Sequence, residues 1–266
     1  THLQSYVLCE RRYLYAHVVG LAEFPIHFEV DAEPELEPLL PGRTRSPNDP
    51  RARGTLAHAL LEKVDLAVVE DPARLDEALR GLLWELGHEP DTQDAREIAA
   101  WARGFLLTPY AASLRGQARV MREVPFALKL DAPGSLSVFL KGQIDLLVID
   151  GGGAATVIDY KASERHSKGL EPYAFQLDCY ALAARRLVGE GAPVRTGIAF
   201  LKEANPGPDF REPAPPEALA GVEVKLAQAA GELVAATSRG MDFRGRDAAY
   251  CASIRCGYQY RCHAAR

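Results

Sequence analysis

The sequence predicts an α/β fold in which a mixed central β-sheet is flanked by helices and extended by N-terminal helical additions. Apolar residues recur at helical spacing in the first half of the chain, three runs of branched apolar residues follow, and another helix and strand come after them. Helices are expected near residues 2–17, 52–69, 73–86, 92–115, 172–188 and 216–238. Strands are expected near residues 119–130, 136–149, 155–161 and 196–201.

We expect one domain over residues 1–266, since 266 residues with 47% hydrophobic content can bury a substantial core. Its parts are a mainly helical segment (1–118), an α/β core (119–205) and a C-terminal helix with a cysteine segment (206–266). Proline-rich stretches predict exposed loops over residues 29–50 and 206–216.

The most informative polar residues lie in a predicted β-hairpin whose arms flank three consecutive glycines, 151–153. If the turn is centred on Gly152, Asp145 lies opposite Asp159, and the two-residue period places Lys161 on the same face as Asp159. Like charges directly opposite on a sheet are destabilising, so the pair of carboxylates indicates a divalent cation between them.

Two carboxylates and a lysine around a cation suit displacement at phosphorus, because the cation polarises a phosphoryl oxygen and the lysine orients water or stabilises developing charge. The alternative is an ordinary surface hairpin, in which Asp159 and Lys161 simply pair along the strand.

These residues resemble the core of the PD-(D/E)xK nucleases, in particular the RecB-type exonuclease branch of RecB and AddAB helicase-nucleases. The resemblance implies a restriction-endonuclease-like core. It covers nearly the whole chain, in the expected order. The matching motifs are residues 6–15, 53–62, 122–126, Gly142-x-Ile144-Asp145, Ile158-Asp159-Tyr160-Lys161 and Gln176-x-x-x-Tyr180.

The resemblance implies that a metal is held by His58, Asp145, Asp159 and the backbone carbonyl of Tyr160. Carboxylate ligands suit Mg²⁺, whereas a histidine ligand makes Mn²⁺ comparably suitable. Taken alone, His58 in its apolar helical stretch reads as a packed or surface histidine.

The resemblance also implies the catalytic residues. Lys161 takes the role of the catalytic lysine, and Glu123 binds a second metal or positions a group at the edge of the site. Gln176 and Tyr180 lie one helical turn apart, where they orient Lys161 or hold the DNA backbone. Taken alone, Glu123 is a strand-edge charge and Tyr180 a core residue.

Four cysteines stand at the two ends of the chain: Cys9, Cys251, Cys256 and Cys262. Nothing in the sequence resembles a secretion signal or an apolar span of about 20 residues, so we expect a cytoplasmic protein without structural disulfides and without a membrane segment. Four thiolates indicate zinc or an iron–sulfur cluster, and their spacing does not choose between the two.

The RecB-type branch includes nucleases in which one N-terminal and three C-terminal cysteines hold a [4Fe–4S] cluster, and this arrangement resembles theirs. The spacing departs from that pattern, because four residues rather than two separate Cys251 from Cys256. His263 is then an alternative ligand in a Zn²⁺ site, and unliganded thiols are a third interpretation. Cys179 is expected to be a small core residue.

A net charge of −5 argues against DNA binding by the surface as a whole. DNA contacts are therefore expected from a narrow basic track near the site, which is alternatively a solvated loop. The track comprises Arg51, Arg53, Lys161, Arg165, His166 and Lys168.

Taken together, the motifs predict a metal-dependent DNA exonuclease module of a helicase-nuclease in double-strand break repair and recombination. The sequence carries no phosphate-binding ATPase loop, so we expect the helicase motor in a longer chain or on a partner subunit. One alternative is a stand-alone nuclease resembling the CRISPR adaptation nucleases. The other is a non-catalytic DNA-binding scaffold subunit.

Overall fold

Among the residues that the structure describes, five strands form one mixed sheet in the order β1-β2-β3-β4-β5. Their bounds are β1 Arg119–Ala132, β2 Leu136–Ile149, β3 Ala155–Lys161, β4 Val194–Phe200 and β5 Asp209–Arg211. Only β3 and β4 pair in parallel; the other neighbours are antiparallel. The computed structural model describes residues 2–21, 50–132, 136–239, 243–254 and 256–263, so the expected loop over 29–50 falls outside it except for its last residue. The predicted mixed sheet flanked by helices is confirmed.

Helices surround this sheet and also form the two ends of the chain. They are α1 His2–Leu8, α2 Glu10–Tyr13, α3 Pro50–Lys63, α4 Pro72–Glu85, α5 Gln93–Leu106, α6 Pro109–Ser113, α7 Ala174–Val188, α8 Pro216–Arg239, α9 Ala248–Ser253 and α10 Gln259–His263. A π-helical turn (Leu14–Val18) follows α2, and single 3₁₀ segments occupy Leu66–Glu70, Leu114–Gly116 and Glu171–Tyr173. None of the helices among the described residues is long and apolar enough to cross a membrane.

Three predicted helices are in fact interrupted. The first, expected over 2–17, breaks at Cys9, whose backbone is extended (φ −162°, ψ 117°). The helix expected over 52–69 ends at Lys63, and Asp65 caps a separate 3₁₀ segment, Leu66–Glu70. The helix expected over 92–115 ends at Leu106, because Thr108 caps a new helix through its hydroxyl and Pro109 occupies that helix's first turn. The loop expected over 206–216 also contains the short strand β5.

The sheet separates two apolar cores. On one face it packs against α3, α4 and α5, through residues such as Leu146 and Tyr160. On the other face it packs against α7 and α8, through residues such as Leu147 and Ile198. The helix α7 makes the crossover that parallel pairing of β3 with β4 requires.

The side-chain alternation of β1 and β2 changes phase where these strands reach the site. The cross-strand partners Arg122 and Leu146 are directed to the α3 side of the sheet, whereas the next pair two residues along, Val124 and Ile144, packs on the α7 side. Residues two apart on a strand normally share a face. Both strands therefore place two successive residues on the α3 side at this level, Arg122 with Glu123 on β1 and Asp145 with Leu146 on β2, and one residue of each pair is an acidic group of the site.

The two ends of the chain pack together. Arg11 donates its backbone N–H to the carbonyl of Arg244 (3.1 Å) and its Nε to the carbonyl of Phe243 (3.1 Å). Tyr250 donates its hydroxyl to the carbonyl of Leu8 at 3.1 Å. These bonds bring the N-terminal helices to the cysteine-bearing C-terminal segment.

Candidate active site

His58, Glu123 and Asp145 bring three potential metal-ligand atoms together, all within 4.8 Å of one another. The Nδ1 atom of His58 lies 3.5 Å from Asp145 Oδ1 and 3.7 Å from Glu123 Oε1. This triad, His58, Glu123 and Asp145, joins one helix to two neighbouring strands. It is the only set of three such residues this close among those the structure describes.

The helix that carries His58 is held on the sheet by Arg122. Its Nη1 donates to the backbone carbonyls of Glu62 and Val64, each at 2.6 Å, at the end of α3. The carbonyl groups at the end of a helix have no hydrogen-bond partner within the helix, so Arg122 supplies the missing donors. Because Arg122 precedes Glu123 directly, one short stretch of β1 fixes both the helix and an acidic group of the triad.

Glu123 has a backbone conformation that is unusual for a residue with a side chain. Its φ is +49°, and it is the only non-glycine residue with a positive φ among those described. Left-handed backbone in a non-glycine residue costs about 1–2 kcal/mol. The strain coincides with the phase change of the sheet, which turns the Glu123 carboxylate toward His58, and strained backbone of this kind clusters at functional sites.

Side chains replace the sheet's own hydrogen bonds around Tyr160. Described pairing of β2 with β3 begins at Leu146 opposite Ile158, the register of a turn centred on residue 152. One residue further, Asp145 Oδ2 accepts the backbone N–H of Tyr160 at 2.7 Å. On the other side of that residue, His58 Nε2 lies 3.0 Å from the carbonyl oxygen of Tyr160.

Negative charge dominates the triad. Burial works to lower the pKa of His58, but Asp145, Glu123 and Asp159 outweigh it and raise this pKa to about 11. The imidazolium is then the nearby cation that offsets the carboxylates. A divalent cation would satisfy the same oxygens, so the donor set fits one.

Asp159 and Lys161 form a second part of the site on the α7 side of the sheet. The two residues are almost fully buried, with 2% and 5% of their surface exposed, and Lys161 Nζ lies 3.2 Å from Asp159 Oδ2. The ammonium also sits 5.4 Å from the ring centre of Tyr173. A buried ion pair is costly to break, because its remaining partner becomes an unpaired charge away from water.

The helix α7 fixes the other oxygen of Asp159. Gln176 Nε2 donates to Asp159 Oδ1 at 3.0 Å, and the Tyr180 hydroxyl donates to the same atom at 3.2 Å. Burial, with the charge of Asp159 next, raises the pKa of Tyr180 well above its ordinary value, so its hydroxyl stays a neutral donor. The Phe126 ring packs edge-to-face on the Tyr180 ring, with 6.1 Å between the ring centres, and covers this side of the site.

The structure therefore brings the residues expected at the active site to one region but distributes them differently from the expectation. Glu123, expected at the edge, lies within the compact donor set with His58 and Asp145. Asp159, expected as a ligand, is engaged by Lys161 and by the amide and hydroxyl of α7. The Tyr160 carbonyl is occupied by His58. The ligand roles remain predictions.

The four terminal cysteines are neighbours in space. Cys9, Cys251 and Cys256 are buried and Cys262 is partly exposed. Burial raises the pKa of Cys251, and the nearby thiols of Cys9 and Cys262 raise it further, while a hydrogen bond with Cys256 lowers it. No three of these described sulfur atoms lie within 4.8 Å of one another.

Three members of the expected basic track are already paired with carboxylates, Lys161 with Asp159 as described above. Arg53 contacts Glu97 Oε2 at 2.6 Å, and Arg165 contacts both carboxylate oxygens of Asp209. The side chain of Arg51 lies outside the described residues. Positive charge near the triad also occurs at Lys141, which the sequence reasoning missed; an exposed lysine two pleats before Asp145 was the available signal.

Comparison with known proteins assigns this chain to a family. A profile of the PD-(D/E)XK nuclease superfamily matches residues 1–263. The chain belongs to the PD-(D/E)XK nuclease superfamily. A search of curated proteins finds no match to it.

A search of solved structures finds several that are similar to this chain, among them the following two. The crystal structure of the protein SSO0001 is 16% identical, with a TM-score of 0.35, and the alignment covers 80% of this chain and 97% of that one. A candidate exonuclease from Eubacterium rectale is 13% identical, with a TM-score of 0.40, and the alignment covers 69% of this chain and 71% of that one. Neither similarity carries an argument about function.

Proposed function

We propose that this nuclease-superfamily chain is a Mg²⁺-dependent DNA exonuclease, and that it acts as the nuclease module of a RecB or AddAB-type helicase-nuclease in break repair. The observation that carries the activity is the triad of His58, Glu123 and Asp145 beside the buried Asp159–Lys161 pair. Carboxylates and an imidazole converge at the triad, and Asp159, whose charge acts on His58, holds the ammonium of Lys161. The resemblance of the motifs supports the helicase-associated role.

A divalent cation at the triad would supply charge to polarise the scissile phosphate and lower the pKa of an attacking water. His58, Glu123 and Asp145 are the residues that would hold it, with Asp159 as a further candidate. Mg²⁺ prefers oxygen ligands, and two of the three triad groups are carboxylates. Mn²⁺ accepts the imidazole more readily and is expected to support activity too.

Lys161 orients the attacking water and stabilises charge as it develops on the phosphate. Its ammonium is held by Asp159 at 3.2 Å, and Asp159 is fixed in turn by Gln176 and Tyr180. Low exposure keeps competing bulk water away from this pair, which strengthens its electrostatic effect. Gln176 and Tyr180 act as positioning residues.

Digestion of end-labelled single- and double-stranded DNA tests this function. The wild type is expected to shorten the DNA with Mg²⁺ or Mn²⁺ and to leave it intact in EDTA, while Lys161→Ala and Asp145→Asn are inactive. Because Lys161→Ala strands a buried carboxylate, melting curves must show that both variants are folded. Metal-dependent cleavage by folded Lys161→Ala at the wild-type rate would contradict the assignment.

The cysteine cluster supports a further part of the proposal, a [4Fe–4S] cluster held by Cys9, Cys251, Cys256 and Cys262. The thiol of Cys251 interacts with those of Cys9, Cys256 and Cys262, so the four cysteines form one group. The resemblance to nucleases with one N-terminal and three C-terminal cluster ligands supports a [4Fe–4S] cluster over zinc. Such a group would tie the N-terminal helices to the C-terminal segment.

Metal analysis and visible absorbance of the purified protein test this part of the proposal. The wild type is expected to contain iron and to absorb in the visible range, Cys9→Ala to lose both, and Cys179→Ala to keep both. Cys179 is the matched control because it is also buried but lies in α7 within a separate core. Zinc without iron would favour the zinc alternative, and iron retained in Cys9→Ala would contradict the ligand assignment.

A further inference from the structure

Beyond the site, β1 and β2 continue as a two-stranded ribbon. Only residues 146–149 of β2 pair with β3, whereas its pairing with β1 runs to the described end of the hairpin. One side of this ribbon is anchored, because Phe126, Leu128 and Ile144 pack in the core formed with α7 and α8. The ribbon is therefore a fixed part of the fold.

The opposite side of the ribbon is open, and it is continuous with the triad. Glu123 and Asp145 face His58, and the residues that follow at two-residue steps stay on that side. All eight of these positions are exposed: Pro125, Ala127, Lys129 and Asp131 on β1, and Ser137, Phe139, Lys141 and Gln143 on β2. The phase change at Glu123 is what turns this row toward the catalytic side of the sheet.

The chemistry of this row fits a nucleic-acid strand. Phe139 is 59% exposed, which is rare for a phenylalanine, and it lies opposite Lys129 and one pleat beyond Lys141. Asp131 engages Lys129 at 3.1 Å, whereas Lys141 is an exposed positive charge between Phe139 and the triad. Aromatic rings beside cationic groups are the usual platform for unpaired bases and their phosphates.

We propose that the open ribbon face binds the single-stranded DNA that leads into the triad, with Phe139 stacking on a base and Lys141 contacting a phosphate. The inference rests on the proposed nuclease function, which places the scissile phosphate at the triad. Phe139 lies six positions before Asp145 in the sequence, which corresponds to a distance of about 20 Å along the strand. At the rise of a stacked strand this corresponds to about six nucleotides. Phe139 acts as a binding residue away from the reacting atoms.

Binding of a fluorescein-labelled oligothymidine of about 16 nucleotides, followed by anisotropy in EDTA at low salt, tests the inference. Phe139→Ala is expected to bind about tenfold more weakly, and Phe139→Trp to bind like the wild type with its added fluorescence quenched by the DNA. In a plot of the logarithm of the binding constant against the logarithm of the salt concentration, Lys141→Gln is expected to reduce the steepness of the slope by about 0.7. Trp84→Ala is the control, since Trp84 is 58% exposed on α4, and it is expected to change nothing.

Unchanged binding by Phe139→Ala, or an equal loss in Trp84→Ala, would overturn the inference, as would a wild type that does not bind the oligothymidine. An equal effect of Phe139→Ala on duplex DNA would overturn the stacking role. The two proposals fail separately. A wild type that binds through Phe139 but never cleaves DNA refutes the nuclease function alone, and one that cleaves but is indifferent to Phe139→Ala refutes the ribbon alone.

Discussion

Substitutions at Glu123 separate backbone strain from the role of its carboxylate. Alanine and glycine at this position remove the same carboxylate from the triad, so the electrostatic change is common to both. They differ in the backbone they tolerate, because glycine alone adopts a φ of +49° without cost. The difference in free energy of unfolding between the two variants therefore reports the strain at Glu123.

The expected magnitude follows from two opposing contributions. A side chain in left-handed backbone costs about 1–2 kcal/mol, which Glu123→Ala retains and Glu123→Gly relieves. Glycine in ordinary strand costs about 0.5–1 kcal/mol relative to alanine, because it loses more chain entropy on folding. The glycine variant should thus be the more stable by roughly 0.5–1 kcal/mol, which reverses the usual order.

Equilibrium urea unfolding in EDTA measures this difference without any contribution from bound metal. The matched control is Ala127→Gly on the same strand, where the side chain is exposed and φ is ordinary. That variant should lose about 0.5–1 kcal/mol. The reasoning is refuted if Glu123→Gly is less stable than Glu123→Ala by as much as Ala127→Gly is less stable than the wild type.

Three further predictions concern packing, metal and thiol reactivity. Gly142→Ala places a Cβ 2.4 Å from the Phe126 ring and should cost about 1–3 kcal/mol in thermal melts, whereas Gly81→Ala, in open space on α4, should stabilise by about 0.5–1 kcal/mol; equal melting temperatures would contradict this. Mg²⁺ at about a hundredfold excess over its Kd should stabilise the wild type by about 2.7 kcal/mol, and Asp145→Asn should lose the effect; a melting temperature indifferent to Mg²⁺ and Mn²⁺ would count against the metal site. Burial raises the pKa of Cys179 to about 12, so mass spectrometry should find it unalkylated at about pH 8 until urea unfolds the chain.

The sheet and most helices could be predicted from the sequence because their signals are local. The hairpin around residue 152 is one example, since glycines and branched apolar runs fix its register. Breaks at Cys9 and Pro109 were missed although Thr108-Pro109 is a recognisable start of a new helix. Helical periodicity simply continued across both positions.

The grouping within the site depends on long-range geometry that no local pattern records. The motif residues His58, Asp145, Asp159 and Lys161 could be named from their types and order. That Glu123 joins His58 and Asp145 follows from a positive φ in a long strand, which nothing in the glutamate's neighbourhood indicates. The open face of the ribbon depends on the same change of phase in the side-chain alternation. Strict alternation along β2 would place Phe139 on the same side as Leu147, which is the α7 side, whereas the structure places it on the opposite side.

The position of Tyr160 has a consequence for how mutational scans of this protein should be interpreted. Its amide N–H is taken by Asp145 and its carbonyl oxygen lies beside His58, so it serves the site through its peptide groups. Side-chain replacement cannot delete either group. A scan would register Tyr160 only through lost packing of its ring in the core, and a tolerated Tyr160→Phe would suggest an uninvolved residue. Only a change to the main chain itself, such as an ester in place of the amide, would expose its contribution.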